Sequence, residues 1–268
     1  MRIGNKEFDV ANHTYIMGIL NVTPDSFSDG GKFNHMDEAM AHVQQMIEDG
    51  ADIIDVGGES TRPGYTKISD EEEIQRVTPI IEALKSRFDV PVSIDTYKSQ
   101  VAAAAVQAGA DLINDIWGCK ADTKMAQVIA DTKAVCCLMY NREEAVYKDY
   151  LKDVISDLEE CINIARAAGV EDDKIILDPG VGFAKSYEQN LQIINHLELL
   201  NELNYPVLLG TSRKSVVGLT LNLPAQERVE GTVATSVVGV MKKSAFVRVH
   251  DVKENYRAIK MTEAILRS

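Results

Sequence analysis

The sequence predicts an α/β protein: a single parallel (β/α)8 barrel with a short N-terminal β-hairpin. Eight short Val-, Ile- and Leu-rich runs recur along the chain, amphipathic helical stretches lie between them, and nothing resembling a linker divides the 268 residues. The runs are apolar almost throughout, as strands are when a parallel sheet is covered on its outer side by helices and closed on itself. Residues 1–268 therefore read as one domain.

The opening "RIGNKEFDV" reads as a hairpin turning at Gly4–Asn5, placed to plug the bottom of the barrel. The strands follow as "YIMGIL" (15–20), "DIIDVGG" (52–58), "PVSIDT" (91–96), "LINDI" (112–116), "AVCCLMY" (134–140), "IILDPG" (175–180), "PVLLGTS" (206–212) and "FVRVH" (246–250). Helices are predicted from "MDEAMAHVQQMIEDG", "SDEEEIQRVTPIIEALKSRF", "KSQVAAAAVQAGA" and "DLEECINIARAAG", several of which close on a Gly suited to a helix C-terminus. "VKENYRAIKMTEAIL" ends the chain as the last of them. A doubly wound open sheet is the competing architecture. It usually carries a GxGxxG turn after its first strand, and "NVTPDSFSDGG" (21–31) is not one. That stretch reads as a polar loop, the kind of segment that carries function when a rigid strand presents it.

Composition narrows the function classes. A formal net charge of −13 would repel nucleic acid and anionic membranes, so an anionic substrate needs a local cluster of cations. No apolar run approaches a membrane span and the first residues lack a signal-peptide pattern, so a cytoplasmic location is expected. Cys119, Cys136, Cys137 and Cys161 show no CxxC spacing and read as reduced, buried thiols.

In a (β/α)8 barrel the active site lies at the C-terminal ends of the strands, and the unexplained polar residues fall there. Asn21 ends the first strand, Asp95 the third, Asn114 and Asp115 the fourth, and Asp178 the sixth. Lys214 follows the seventh, Arg248 and His250 close the eighth, and the second runs into "GGESTRPG" with Thr61 and Arg62. Singly, a strand-end Asp is more often a helix cap, and a lone Arg or His a solvated group. Independent caps, however, would have no reason to converge on one rim, and convergence is the mark of a site. Asp95, Asp178 and Asn114 together offer the acceptors and donors that grip a heterocycle edge such as a 2-amino-4-oxopyrimidine. Lys214, Arg248 and His250 follow the last two strands, where barrels commonly bind phosphate. Asn21 offers a hard oxygen to Mg2+, which characteristically keeps waters and binds through substrate phosphates. No dedicated carboxylate cage for a metal is evident.

Taken together, "MGILNVTPDSFSDGGKF", "DIIDVGGESTRPG", "SIDTYKSQVA", "LINDIWG", "ILDPGVGFAK", "LLGTSRKS" and "ERVEGTVATSVVGV…FVRVHDVKEN" resemble the dihydropteroate synthase family, a pterin-binding TIM-barrel family, in order and over almost the whole chain. The resemblance implies condensation of (7,8-dihydropterin-6-yl)methyl diphosphate with 4-aminobenzoate in folate synthesis, with Mg2+ as cofactor. It implies that Asp95, Asn114, Ile116, Met139, Asp178, Phe183, Gly210, Lys214 and Arg248 surround the pterin. Asn21, Thr61, Arg248 and His250 would then hold the diphosphate, with Asn21 also touching the metal. Phe27, Thr61, Arg62, Pro63, Phe183, Lys214 and Ser215 would frame aminobenzoate. Asp29, Lys214, Arg248 and His250 would act at the reacting centre, and "NVTPDSFSDGG" would be a lid that excludes water. One departure is Tyr140 in "LMYNR", where family members often have His.

No strong protein nucleophile with a positioned base is evident, whereas diphosphate is a good leaving group. A dissociative substitution is therefore expected, with Mg2+, Arg248 and His250 stabilising the departing charge. The alternatives are a corrinoid-dependent methyltransferase that binds methyltetrahydrofolate and a non-catalytic pterin-binding protein. The first would not need the cationic cluster or the "STRPG" loop, and the second would tolerate loss of Asn21, Arg62 or His250. A homodimer is implied by the resemblance. The small and apolar residues of "EGTVATSVVGVMKK" suit either that interface or a helix buried within one monomer.

Overall fold

The computed structural model describes residues 1–22, 32–59 and 67–268. The chain opens with the predicted hairpin, β1 (Arg2–Ile3) antiparallel to β2 (Lys6–Glu7). Gly4 makes its turn at φ +59, where an added Cβ would stand 2.7 Å from an Asp111 carboxylate oxygen, so only glycine serves there. Ile3 and Phe8 pack with Met17, Ile53, Cys137, Ile176, Leu208 and Phe246 in one buried cluster, so the hairpin plugs the barrel bottom as expected.

The barrel strands are β3 (Tyr15–Asn21), β4 (Ile53–Gly57), β5 (Val92–Asp95), β6 (Leu112–Asp115), β7 (Val135–Met139), β8 (Ile175–Asp178), β9 (Leu208–Leu209) and β10 (Phe246–Val249). Their order is β8-β7-β6-β5-β4-β3-β10-β9, every pairing is parallel, and a Leu177–Val207 bridge brings the two ends together. The principal helices outside it are α1 (Lys32–Glu48), α2 (Asp70–Arg87), α3 (Ser99–Gln107), α4 (Met125–Thr132), α5 (Tyr150–Ala167), α6 (Tyr187–Asn195), α7 (Glu198–Asn201), α8 (Ser215–Leu221), α9 (Val229–Met241) and α10 (Val252–Leu266). Helix boundaries follow local chemistry. Ser69 caps α2 by accepting the Glu72 N–H at 3.2 Å, and Asp70 to Glu73 load the first turn with negative charge. Ser186 and Gln189 close a reciprocal capping box at the start of α6.

Side-chain alternation sorts each strand into a helix-facing and a barrel-facing set. Ile54, Val56, Ile94, Ile113, Leu138, Leu177 and Val247 belong to the outer core, whereas Ile53, Leu112, Cys137, Ile176 and Phe246 belong to the barrel floor. Asp55, Asp95, Asn114, Asp178 and Arg248 share the parity of the floor residues and stand one or more pleats above them. Strand β9 is shorter than the sequence suggests. The backbone turns after Gly210, with the Lys214 N–H donating to Thr211 at 3.1 Å, and Thr211 bonds Thr235 at 2.6 Å.

Candidate active site

Arg248 is the centre of the upper barrel. Its Nε donates to Asp55 Oδ2 and its Nη2 to Asp95 Oδ2, each at 2.6 Å. Asn114 Nδ2 reaches the same Asp55 oxygen at 3.3 Å, so residues of β4, β5, β6 and β10 are joined in one network. Asp55 is wholly buried and draws the Arg248 pKa further up, together with Asp95. The remaining oxygens, Asp55 Oδ1 and Asp95 Oδ1, are buried and accept no hydrogen bond from the described residues. Burial lifts Asp95 to about 7, against the pull of Arg248.

Across the barrel Asp178 Oδ1 accepts the Gly180 N–H at 2.6 Å. Burial raises its pKa to about 6, while Lys214 and Arg248 pull it back. The other oxygen faces Gly210, where an added Cβ would lie 3.6 Å from it and 4.0 Å from Arg248 Cβ. Glycine at 210 thus keeps the wall between β8 and β10 open. Lys214, immediately before α8, stands with its Nζ 4.0 Å from the centre of the Phe183 ring. Burial and the charge of Arg248 lower its pKa to about 8, partly offset by Asp178 and Asp95.

The site residues read from the sequence divide accordingly. Asp95, Asn114, Asp178, Phe183, Gly210, Lys214 and Arg248 form the upper barrel and its rim, with Met139 and Ile116 buried at the ends of β7 and β6. Ser215 is the exposed first residue of α8. Asn21 ends β3, beside β10, which runs into His250. His250 Nδ1 lies 2.9 Å from Ser212 Oγ, and the same hydroxyl accepts the His250 N–H at 3.1 Å. Phe27, Asp29, Thr61, Arg62 and Pro63 lie outside the described residues.

One polar residue counted among the rim groups leaves the set. Asp115 has the helix-facing parity, and its carboxylate accepts the N–H groups of Trp117 at 2.9 Å and Cys119 at 2.6 Å, bracing a turn instead of facing the barrel. The four cysteines are free and buried, as expected. Two features were missed. Asp55 lay inside "DIIDVGG" and was absorbed into the strand, although a carboxylate at a barrel-facing position needs a cationic partner. The second is a buried cluster in which Lys98 Nζ donates to Glu59 Oε2 at 2.8 Å, Glu73 Oε2 at 2.7 Å and the Ile68 carbonyl at 2.9 Å. It ties the chain on both sides of residues 60–66 to α2 and to the segment after Asp95. Its members are scattered through sequence that reads as ordinary amphipathic helix and loop.

Comparison with known proteins defines the class. A family model described as "Pterin binding enzyme" matches residues 17–250, and the chain belongs to that family. A dihydropteroate synthase of Clostridium beijerinckii is 65% identical over 268 residues, covering 100% of both chains. One of Bacillus subtilis is 55% identical, over 94% of this chain and 89% of its own. A Clostridium difficile dihydropteroate synthase crystallised in the presence of pteroic acid superposes with a TM-score of 0.95 at 50% identity, covering 98% of this chain and 100% of that one. A Xanthomonas albilineans dihydropteroate synthase with 4-aminobenzoic acid gives a TM-score of 0.92 at 40% identity, over 96% and 95% of the two chains. Within the pterin binding enzymes the chain stands among the dihydropteroate synthases, which are transferases.

Proposed function

We propose that the chain condenses (7,8-dihydropterin-6-yl)methyl diphosphate with 4-aminobenzoate, releasing diphosphate and 7,8-dihydropteroate, and that the upper barrel is where this occurs. The observation that carries the assignment of the site is its set of buried acceptors. Asp95 Oδ1 has no donor among the described residues, and Asp178 turns its second oxygen toward the gap at Gly210. Buried carboxylate oxygens are costly unless N–H groups meet them, and an aminopyrimidinone edge supplies such groups. Asn114 adds an amide with both donor and acceptor, and Met139 a polarizable contact for the ring face.

Chemistry then follows from charge. The bond between the exocyclic methylene and the diphosphate oxygen breaks with its electron pair leaving on the diphosphate. The amine lone pair of aminobenzoate forms the new C–N bond and the nitrogen sheds a proton to solvent. Lys214 and His250 lie toward the rim, where leaving-group charge develops, while Arg248 links the pterin carboxylates to that side. Phe183, Lys214 and Ser215 receive the aromatic amine, with Phe27, Thr61, Arg62 and Pro63 assigned to the same substrate and Asp29 to the reacting carbon. Mg2+ fits the donor set as an ion arriving with the diphosphate. Among the described residues no cluster of His, Cys, Asp and Glu could cage a metal, and the Asn21 amide oxygen is the protein donor in this reading. The ion would neutralise leaving-group charge.

A second copy of the chain is the proposed partner. Met241 at the end of α9 and Met261 and Ile265 on α10 are 60%, 61% and 60% exposed, large apolar groups on two helices that pack together. Light scattering should give twice the monomer mass. No described helix is long and apolar enough to cross a membrane, and we assign the enzyme to the cytoplasm. The catalytic proposal is tested by mixing the protein with both substrates and Mg2+. Diphosphate and dihydropteroate should appear in equal amounts. Methyl transfer to a cobalamin partner without diphosphate release would overturn it.

A further inference from the structure

The turn between β8 and α6 carries Phe183, and it is held from beneath by a side chain with no role in the chemistry above. Lys185 Nζ donates to the Gly180 carbonyl at 2.8 Å and the Phe183 carbonyl at 3.0 Å. It also stands 4.2 Å from the centre of the Tyr140 ring. Tyr140 is fully buried and donates its hydroxyl proton to Tyr147, whose own hydroxyl donates to the Ala184 carbonyl at 2.6 Å. Thus the carbonyls of residues 180, 183 and 184 are all gathered by two side chains. The turn needs such fastening: Gly180, Gly182 and Ala184 all have positive φ, at +67, +86 and +43. A non-glycine residue in that region is strained and persists when its surroundings hold it.

We propose that Lys185, seated on Tyr140, is a positioning residue: it fixes the turn so that the Phe183 ring meets Lys214, and through that pair it sets affinity for the aromatic amine substrate. The proposal rests on the assignment of Phe183 and Lys214 to aminobenzoate given above. A compact ammonium with three donors can serve two carbonyls while it sits over a ring face. Its hydrogen-bond partners are carbonyls and not carboxylates. Asp178, Lys214, Asp157 and Arg142 are the charged groups around it, and burial pulls its pKa down to about 7. Tyr140, the position at which the chain departs from the resemblance, thereby acquires a use: a neutral ring under the ammonium and a hydroxyl reaching Tyr147. Asp178 is anchored in β8, although its Oδ1 also accepts the Gly180 N–H, whereas Phe183 is carried by the turn itself, so the effect should fall chiefly on the aromatic amine.

The test is steady-state kinetics of the full chain with both substrates, for Lys185→Met, Tyr147→Phe, Phe183→Ala and the Lys185→Met/Phe183→Ala double variant. Lys185→Met should raise KM for aminobenzoate about tenfold and Tyr147→Phe about threefold, with kcat and the pterin diphosphate KM changing by less than about threefold. If Lys185 acts through Phe183, the double variant should be no worse than Phe183→Ala alone. An unchanged aminobenzoate KM in Lys185→Met, or independent effects that multiply in the double variant, would overturn the proposal while leaving the site assignment in place. An unchanged KM in Phe183→Ala would overturn the assignment, and the proposal with it. Should Lys185→Met fail to fold, Tyr147→Phe alone and combined with Phe183→Ala decides by the same criteria.

Discussion

Asp178→Asn should weaken pterin binding and at the same time stabilise the empty protein. In the wild type one carboxylate oxygen accepts the Gly180 N–H at 2.6 Å and the other faces the gap at Gly210. An asparagine cannot reproduce both. If its oxygen takes the Gly180 N–H, its NH2 points at the N–H donors of the heterocycle; flipped, it sets donor against donor at Gly180. The loss of a charge-assisted acceptor is worth about 2–3 kcal/mol, or about 30- to 150-fold in Kd. Stability moves the other way. Burial raises the Asp178 pKa from 3.8 to about 6, so the folded state holds its proton more tightly than the unfolded chain. The favourable contribution of that proton is full below about pH 4 and lost as pH rises through 6, leaving a penalty of up to about 3 kcal/mol at pH 8. Asparagine is neutral at both pH values. The variant should therefore melt several degrees above wild type at pH 8 and close to it at pH 4.5, while calorimetry with a pterin analogue shows the lost affinity. Unchanged affinity would remove Asp178 from the site, and a lower melting temperature at pH 8 would refute the buried-charge argument.

Wild-type pterin affinity should be greatest above pH 8 and fall as pH drops through 7 and then 6, since both acceptors bind ionised and Asp95 and Asp178 titrate at about 7 and about 6; calorimetry from pH 5 to 9 checks the sign. Asp55→Asn leaves Arg248 with Asp95 as its remaining carboxylate partner and should lower kcat/KM by about 10- to 100-fold; wild-type kinetics would make Asp55 a bystander. Lys120→Ala should change turnover and stability by less than about 0.5 kcal/mol, because its 3.3 Å contact to a mostly exposed Glu160 is a surface pair; a large loss of turnover would mean the site extends to that face.

The barrel was legible because its signal is repeated. Each strand is a short apolar run, and the same reading applied eight times leaves little freedom in topology. Much of the site was legible for a related reason: Asp95, Asn114, Asp178 and Arg248 interrupt those runs at barrel-facing positions near their ends. The same alternation separates Asn114 from Asp115, one residue on and facing the helices, yet both read alike when only proximity to the strand end is considered. Asp55 was missed because it sits two residues before the end of β4 and looks like a strand residue until Arg248 is placed beside it. Lys98, Glu59 and Glu73 carry no periodic mark at all; only tertiary structure brings a lysine from the start of α3 between two glutamates. Lys185 was visible in "GFAK", but which carbonyls it gathers depends on a backbone of positive φ that composition alone does not specify.

The electrostatics of the site also explain why a chain of net charge −13 can hold a diphosphate ester. Deep in the barrel lie the carboxylates of Asp55, Asp95 and Asp178: Asp55 and Asp95 each keep a buried oxygen without a donor among the described residues, and burial raises the pKa of Asp95 to about 7 and of Asp178 to about 6. Toward the rim, burial and the charge of Arg248 lower the Lys214 pKa to about 8. Each end is therefore unfavourable on its own, in opposite senses. A ligand with N–H donors at one end and phosphate at the other relieves both: the donors meet the carboxylates, and the anion restores the ammonium. On the proposed reading, binding draws a proton onto Lys214 while releasing one from the acids below, so the site selects a molecule of that polarity and length. A pterin without its diphosphate would relieve only the deep end, and free diphosphate only the rim, which is why the ester should be bound more tightly than either half.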